Sequence, residues 1–298
     1  MDQHNPLFFI VFPVLLLLAA AEAVYLISVR RHRYDWSGSF ASFGVAIGHH
    51  GVALLTIGLT TWTFGWVWQH RLLTLPLDRW WSFPLVFLLV EFFYYWAHRI
   101  SHESRWFWAS HAVHHTPQRL YLSGAYRLAW TGSIAGGAVF FLPVVWLGVS
   151  PKAVLLALTL NLLYQFWLHT ELIPRLGWFD RIFNSPSNHR VHHAINPRYL
   201  DSNYGGVLIV FDHLFGTYVA ERDDDPCRYG LVTQLNSHNP LRIVFHEWQA
   251  LCRDVWHSRS LRQMGFHLFG APGWSADGSR RTSAQIRSEA GFLPGRRR

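Results

Sequence analysis

The apolar run at residues 7–29, LFFIVFPVLLLLAAAEAVYLISV, limits the possible folds more than any other feature of the chain. About 20 predominantly apolar residues span the hydrocarbon core of a bilayer, and this run has 23. A secretory signal carries its basic residues ahead of a shorter apolar stretch. Here the leader is MDQHNP and the basic cluster RRHR follows, so the run is expected to be a retained transmembrane helix. Further apolar segments lie at residues 43–68 and 80–97, and then as two arms, 129–149 and 154–168, joined by an SPK turn. Trp80, Trp81, Tyr94, Tyr95 and Trp96 flank the third segment as an interfacial aromatic belt would. Half of the residues are hydrophobic and 15% are charged, against about 25% in an ordinary soluble domain. The expected fold is all-α: an integral membrane helical bundle of about four to five membrane segments with a cytoplasmic, His-rich helical cap. Length alone does not say whether the two arms at 129–168 span fully or re-enter.

A net charge of +8 raises nucleic-acid binding as a possibility, but the arginines sit at the ends of apolar blocks and in the tail GRRR, not along one helical face. Membrane-flanking charge is the simpler reading. RRHR after the first helix places that end in the cytoplasm. Counting spans forward then brings every histidine cluster out on the cytoplasmic side. Cys227 and Cys252 show no CxxC spacing and read as free thiols. From residue 169 the turn signals NSPSN, NPRY, SNYGG and DDDP mark a lobe of short helices and loops, and the stretch from residue 271 is expected to be loosely ordered.

Nine of the 19 histidines fall in four places: His98 and His102 in HRISH, His111, His114 and His115 in HAVHH, His169 in QFWLHTE, and His189, His192 and His193 in HRVHH. Positions i, i+3 and i+4 share a helical face, so each HxxHH is expected to project its imidazoles toward one point. Nine nitrogens are too many for one ion. Two ions with four or five ligands each would use them all, and imidazole suits iron, copper, zinc or nickel rather than magnesium or calcium. Glu91, Tyr95, His98 and His102 form one stripe, and a carboxylate at the depth of Glu91 is costly enough to make it a functional candidate. Asn161, Gln165 and His169 recur every four residues on an otherwise apolar arm; with Glu91, Asn161 and Gln165 are expected to line the approach to the metals. Asp201 and Asn203, in LDSNYGG, are candidate partners for ring N–H groups, although DSN is also ordinary turn chemistry.

Carboxylate-rich di-iron bundles use ExxH pairs, which this chain lacks, and zinc-protease HExxH is absent too. A pair of iron ions held by imidazoles at the bilayer rim fits best, and its natural use is dioxygen activation against a lipid C–H bond. Two other classes use the same histidines: a membrane metal-ion transporter or haem-binding membrane protein, and a cytoplasmic zinc-binding scaffold. Ligands at helix ends on one face suit the oxygenase better than a transporter, whose ligands belong near the bilayer midplane.

The runs EFFYYWAHRISHESRWFWASHAVHHTPQ, YQFWLHTELI and NSPSNHRVHHAINPRYLDSNYGGVLIVFDHLFGTY closely resemble the sterol desaturase / fatty acid hydroxylase superfamily, and within it the alkylglycerol monooxygenase-like branch with its bacterial members. The resemblance is strong over residues 91–218. It implies a membrane-bound, non-haem di-iron oxygenase that hydroxylates or desaturates a sterol, fatty acyl or ether lipid. Its metals would be held by His98, His102, His111, His114, His115, His189, His192 and His193, with His169 as a further ligand. Some relatives place a histidine where this chain has Gln165, which leaves the ligand number at one metal open. His213 is not included. Residues 1–80 would be N-terminal membrane helices, 81–220 the di-iron core and 221–298 a C-terminal cytoplasmic segment. The chain shows no GxGxxG, HPGG or CxxC, so the electrons are expected from a separate donor protein or reductant. The branch resemblance makes tetrahydrobiopterin a candidate, and no nucleic-acid partner is expected.

Overall fold

The computed structural model describes residues 6–31 and 33–292, which form eleven α-helices and no β-strand. The leader residues 1–5, His32 of the basic cluster and the terminal GRRR lie outside the described residues.

Helices α1 (Pro6–Ser28) and α2 (Trp36–Gln69) are long and apolar enough to cross a bilayer, running roughly 34 and 51 Å at 1.5 Å per residue. Asp35 starts α2 by accepting the Gly38 N–H at 2.9 Å. Only 22% of each apolar window is buried within the protein. Leu17, Val24, Leu54, Leu55 and Trp62 point outward. Apolar surface left outside on this scale matches hydrocarbon and not water, and the chain is a membrane protein.

Helix α3 (Ser82–Glu103) packs its first half against Phe64 of α2 and against Val144, Val145, Val154 and Ala157. The last four belong to the region of α5 (Leu142–Trp146) and α6 (Pro151–Phe166). This apolar pole is closed by two backbone hydrogen bonds, Leu72 N–H to the Trp146 carbonyl and Leu75 N–H to the Gly148 carbonyl, both 2.8 Å. The arm at 129–149 is not one helix. It is irregular to Gly136, which sits in the left-handed region at φ 89°, then forms a 3-10 turn over Gly137–Phe141 and the five-residue α5. Glycines at 132, 136 and 137 with Pro143 interrupt the helix that its apolarity had indicated.

The opposite pole holds the polar machinery. Ser104, extended at φ −119°, ψ 125°, breaks the chain between α3 and α4 (Arg105–His115), so two histidine-bearing helices adjoin at a corner. Ser185 accepts the Asn188 N–H and Pro186 occupies the first turn of α7 (Pro186–His193), so the SP of NSPSN opens a helix. Gly216, at φ 73°, ends α8 (Val210–Phe215) and turns Thr217 back so that its hydroxyl donates to Asp212 Oδ1 at 2.6 Å. Helices α9 (Pro240–Trp256) and α10 (Leu261–Phe269) cover α4, with Ile243 and Val244 in one core with Ala41, Val45 and Val113.

The stretch from residue 271, expected to be loosely ordered, is folded back as far as residue 292. Arg280 pairs with Asp254 at 2.7 Å, α11 (Ser283–Glu289) opens on a Thr282–Gln285 capping box, and Arg287 donates to the Leu200 carbonyl at 2.6 Å. Its Gly, Ser and Arg residues serve caps and ion pairs instead of a core, which composition cannot distinguish from disorder.

Candidate metal centre

The structure gathers all nine candidate histidines into two adjoining groups: His98, His102, His111, His115 and His192 in one, His114, His169, His189 and His193 in the other. Within each group the potential ligand atoms lie within 4.8 Å of one another. The expectation that each HxxHH converges on one point is corrected. Helix α4 gives His111 and His115 to the first group and His114 to the second, whereas α7 gives His189 and His193 to the second and His192 to the first. Positions i and i+4 are about 40° apart around a helix, while i+3 lies about 60° to the other side of i. Each helix therefore serves both groups, and His115 stacks on His193 at 4.4 Å where they meet.

Backbone carbonyls fix the rings. His98 Nδ1 faces the Tyr204 carbonyl at 2.8 Å, His169 Nδ1 that of Gln165 at 2.9 Å, His192 Nδ1 that of Ser202 at 3.0 Å and His114 Nδ1 that of Arg127 at 3.3 Å. A carbonyl can only accept, so each of these Nδ1 atoms carries the proton and Nε2 keeps its lone pair. His114 Nε2 and His169 Nε2 then face each other at 3.1 Å with no proton between them. His102 Nε2 and His192 Nε2 are buried without a hydrogen-bond partner. Lone pairs aimed at one another and orphaned buried nitrogens are both relieved by a cation, and the donor set fits a transition-metal ion.

Burial, reinforced by neighbouring imidazoles, holds His115, His189, His192 and His193 well below the ordinary histidine pKa of 6.5, and burial brings His169 down to about 4. These rings are neutral at pH 7, as ligands must be.

Arg190 anchors α7 from behind: its guanidinium meets Glu221 with both arms, at 2.7 and 2.6 Å, and donates to the carbonyls of Thr170 and Ile173. Asp201, a candidate partner for a ring N–H group, has its Oδ1 3.6 Å from His102 Nδ1. Asn203 bonds no ring: its amide holds the Asn188 and Val219 carbonyls. The carbonyls on either side of it do the orienting, and no side-chain pattern announces a carbonyl. His213 is exposed, its ring tilted against Tyr218 with centroids 4.0 Å apart.

Glu91, Asn161 and Gln165 form a closed chain. Asn161 donates to Glu91 Oε1, Gln165 donates to Asn161 Oδ1 at 2.5 Å, and Tyr94 donates to Gln165 Oε1 at 3.1 Å. Glu91 Oε2 accepts the Val207 and Leu208 N–H groups at 2.8 and 2.9 Å. The loop reaches that depth because Gly206 has no side chain: a Cβ there would stand 2.2 Å from Asn161 Nδ2. Glu91→Ala strands three buried donors, each costing about 1–3 kcal/mol. We expect it to lower the thermal midpoint by many degrees, Glu91→Gln to lose less because one acceptor remains, and Gly206→Ala to weaken the same lock by collision. Wild-type midpoints for all three would remove the lock.

Residues 83–217 match the family model described as "Fatty acid hydroxylase". Alkylglycerol monooxygenase of Homo sapiens is 37% identical over 242 residues, covering 81% of this chain and 53% of the relative. The Caenorhabditis elegans protein of that name is 39% identical over 193 residues, 62% of this chain and 37% of the relative. An ornithine lipid hydroxylase of Rhizobium tropici is 32% identical over 144 residues, 47% and 44% of the two chains. The chain spans about half the length of the first of these curated relatives. No solved structure matches. Since the family match runs through all four histidine-bearing segments, the chain belongs to the sterol desaturase / fatty acid hydroxylase superfamily.

Proposed function

We propose that this protein is a membrane-bound, non-haem di-iron oxidoreductase that uses dioxygen to oxidise a C–H bond of a lipid. The observation that carries the reading is the division of nine imidazoles into groups of five and four with their nitrogens turned inward. His98, His102, His111, His115 and His192 would hold one iron, and His114, His169, His189 and His193 the other. Bound iron supplies the redox chemistry that splits dioxygen and removes hydrogen from carbon. Hydroxylation balances as one C–H plus O2, two electrons and two protons to C–OH and water. The two electrons come from a separate donor, for which the branch resemblance offers tetrahydrobiopterin. The relatives named for lipid oxidation support the reaction class and disfavour the transporter and haem readings.

The protein's own residues position and exclude. The four carbonyls hold the rings in one tautomer, and Glu91, Asn161 and Gln165 act as positioning residues, since Gln165 also presents the carbonyl that orients His169. We assign α1, α2 and α3 as spans, with the 129–149 arm and α6 as a hairpin inserted from the histidine side. The basic cluster after α1 puts that side in the cytoplasm. Residues 1–80 would then be the membrane anchor, 81–220 the site, and 221–298 a cytoplasmic segment whose α9 and α10 brace α4. The test is iron-loaded protein in lipid vesicles under ¹⁸O2 with a two-electron reductant. One labelled oxygen atom in the lipid, or stoichiometric desaturation, is expected; dioxygen consumption that leaves the lipid unchanged would sink the reading.

A further inference from the structure

A cavity of about 310 Å³ lies outside the histidine groups. It opens between the last turns of α1 and the loops that leave two of the histidine segments. Glu22 and Leu26 line it from α1, Arg30 from the turn that follows, Arg119 and Tyr121 from the loop after His115, and Glu171 from the turn after His169. Its floor is already satisfied: Glu22 Oε2 accepts the Leu122 N–H at 2.7 Å and Oε1 accepts the Thr170 hydroxyl. Its rim is not. Arg175, Arg190 and Arg222 each hold a carboxylate, but among the described residues neither Arg30 nor Arg119 has an ion-pair partner. Glu171 gives one oxygen to the Leu120 N–H at 3.3 Å and keeps the other.

A cleft of this volume suits a small polar group. Two unpaired guanidiniums with a single available acceptor call for an anion carrying a hydroxyl, and guanidinium is the side chain best matched to phosphate. Next to the cleft, Val24, Tyr25 and Ile27 of α1 point outward and form an apolar surface along the bilayer. A ligand with a charged end and an apolar tail would lie with its tail against the membrane and its head beside the metal groups.

We propose that this cleft is a headgroup subsite for a phosphate-bearing glycerolipid, with Arg30 and Arg119 on the phosphate and Glu171 on a glycerol hydroxyl. The inference rests on the lipid-oxidation reading and narrows its substrate class, since a sterol has no group for the two arginines. The full chain in detergent is titrated, without reductant, with hexadecyl-glycerol-phosphate, with neutral hexadecylglycerol and with inorganic phosphate, binding being read by native mass spectrometry. The phosphate lipid is expected to bind about 10-fold tighter than the neutral one. Arg119→Ala and Arg30→Ala should each lose roughly 5- to 20-fold on the phosphate lipid alone, the worth of one charge-assisted contact. Both side chains are exposed, so neither variant threatens the fold. Equal affinity for the two lipids, or variants that bind like wild type, would overturn the subsite. Inorganic phosphate bound as tightly as the phosphate lipid would make it a free-phosphate site and overturn it as well. Because no turnover is involved, a protein that binds the phosphate lipid through the arginines yet oxidises no lipid would refute the activity and leave the subsite standing.

Discussion

His189→Ala should leave the purified protein with about one iron per chain in place of two and with no oxygenation above background. His189 is 1% exposed, and its Nε2 lies 3.0 Å from those of both His169 and His193, at the centre of the four-membered group. Removing a hydrogen-bond partner behind a metal ligand already costs about 10- to 100-fold in affinity or activity, so losing a ligand from a set of four should cost more than about 100-fold. His192→Ala makes the same test on the other group, where its orphaned Nε2 is one of five donors. Elemental analysis after equilibration with iron, beside a dioxygen-consumption assay, reads both outcomes. The losses are expected to be separate in metal and common in activity, because the proposed oxidation requires both ions. Two irons retained in either variant, with activity within about threefold of wild type, would falsify the assignment of ligands.

Acid should destroy the metal-free fold well before the loaded one. His115, His189, His192 and His193 are all at most 4% exposed, and burial followed by neighbouring imidazoles depresses each below 6.5. A histidine whose folded pKa lies below its unfolded value takes up its proton first in the unfolded chain. Its stabilising effect is therefore complete above pH 6.5 and falls as the pH drops below it. Each such residue contributes about 1.4 kcal/mol per pH unit, so four together approach ~5 kcal/mol per unit against a net stability of about 5–15 kcal/mol. Iron held by these histidines would bind the folded state alone and is expected to displace the transition to lower pH, until protons compete it off the ligands. Thermal midpoints of chelator-treated and iron-loaded protein between pH 7.5 and pH 5 check this. A flat profile for the treated protein, or superimposed profiles for the two forms, would contradict it.

The outer architecture was legible because long apolar runs have few alternatives in water: α1 and α2 follow from length and composition. The 129–149 arm was not, since its apolarity argued for a helix while Gly136 at φ 89° and Pro143 argued for a break, and only packing against α2 and α3 arbitrates between them. The nine histidines stood out by number and spacing. The groups that aim them did not: the carbonyls of Arg127, Gln165, Ser202 and Tyr204 have no residue type, and nothing in the sequence pattern announces that Leu122 and Thr170 satisfy the buried Glu22. Glu91 was singled out by the cost of a carboxylate at its depth, and the structure shows what offsets that cost: two backbone N–H groups from a loop 116 residues away in sequence, admitted by Gly206.

The sequence by itself determined that imidazoles four residues apart would share a helical face, because the helical repeat fixes that angle without reference to anything else in the molecule. Which histidines share an ion was decided only in three dimensions. The third imidazole of each box points about 100° away from the second, and its destination depends on where α3, α4, α7 and the turn at His169 meet. Those crossings are set by contacts between residues far apart in the chain.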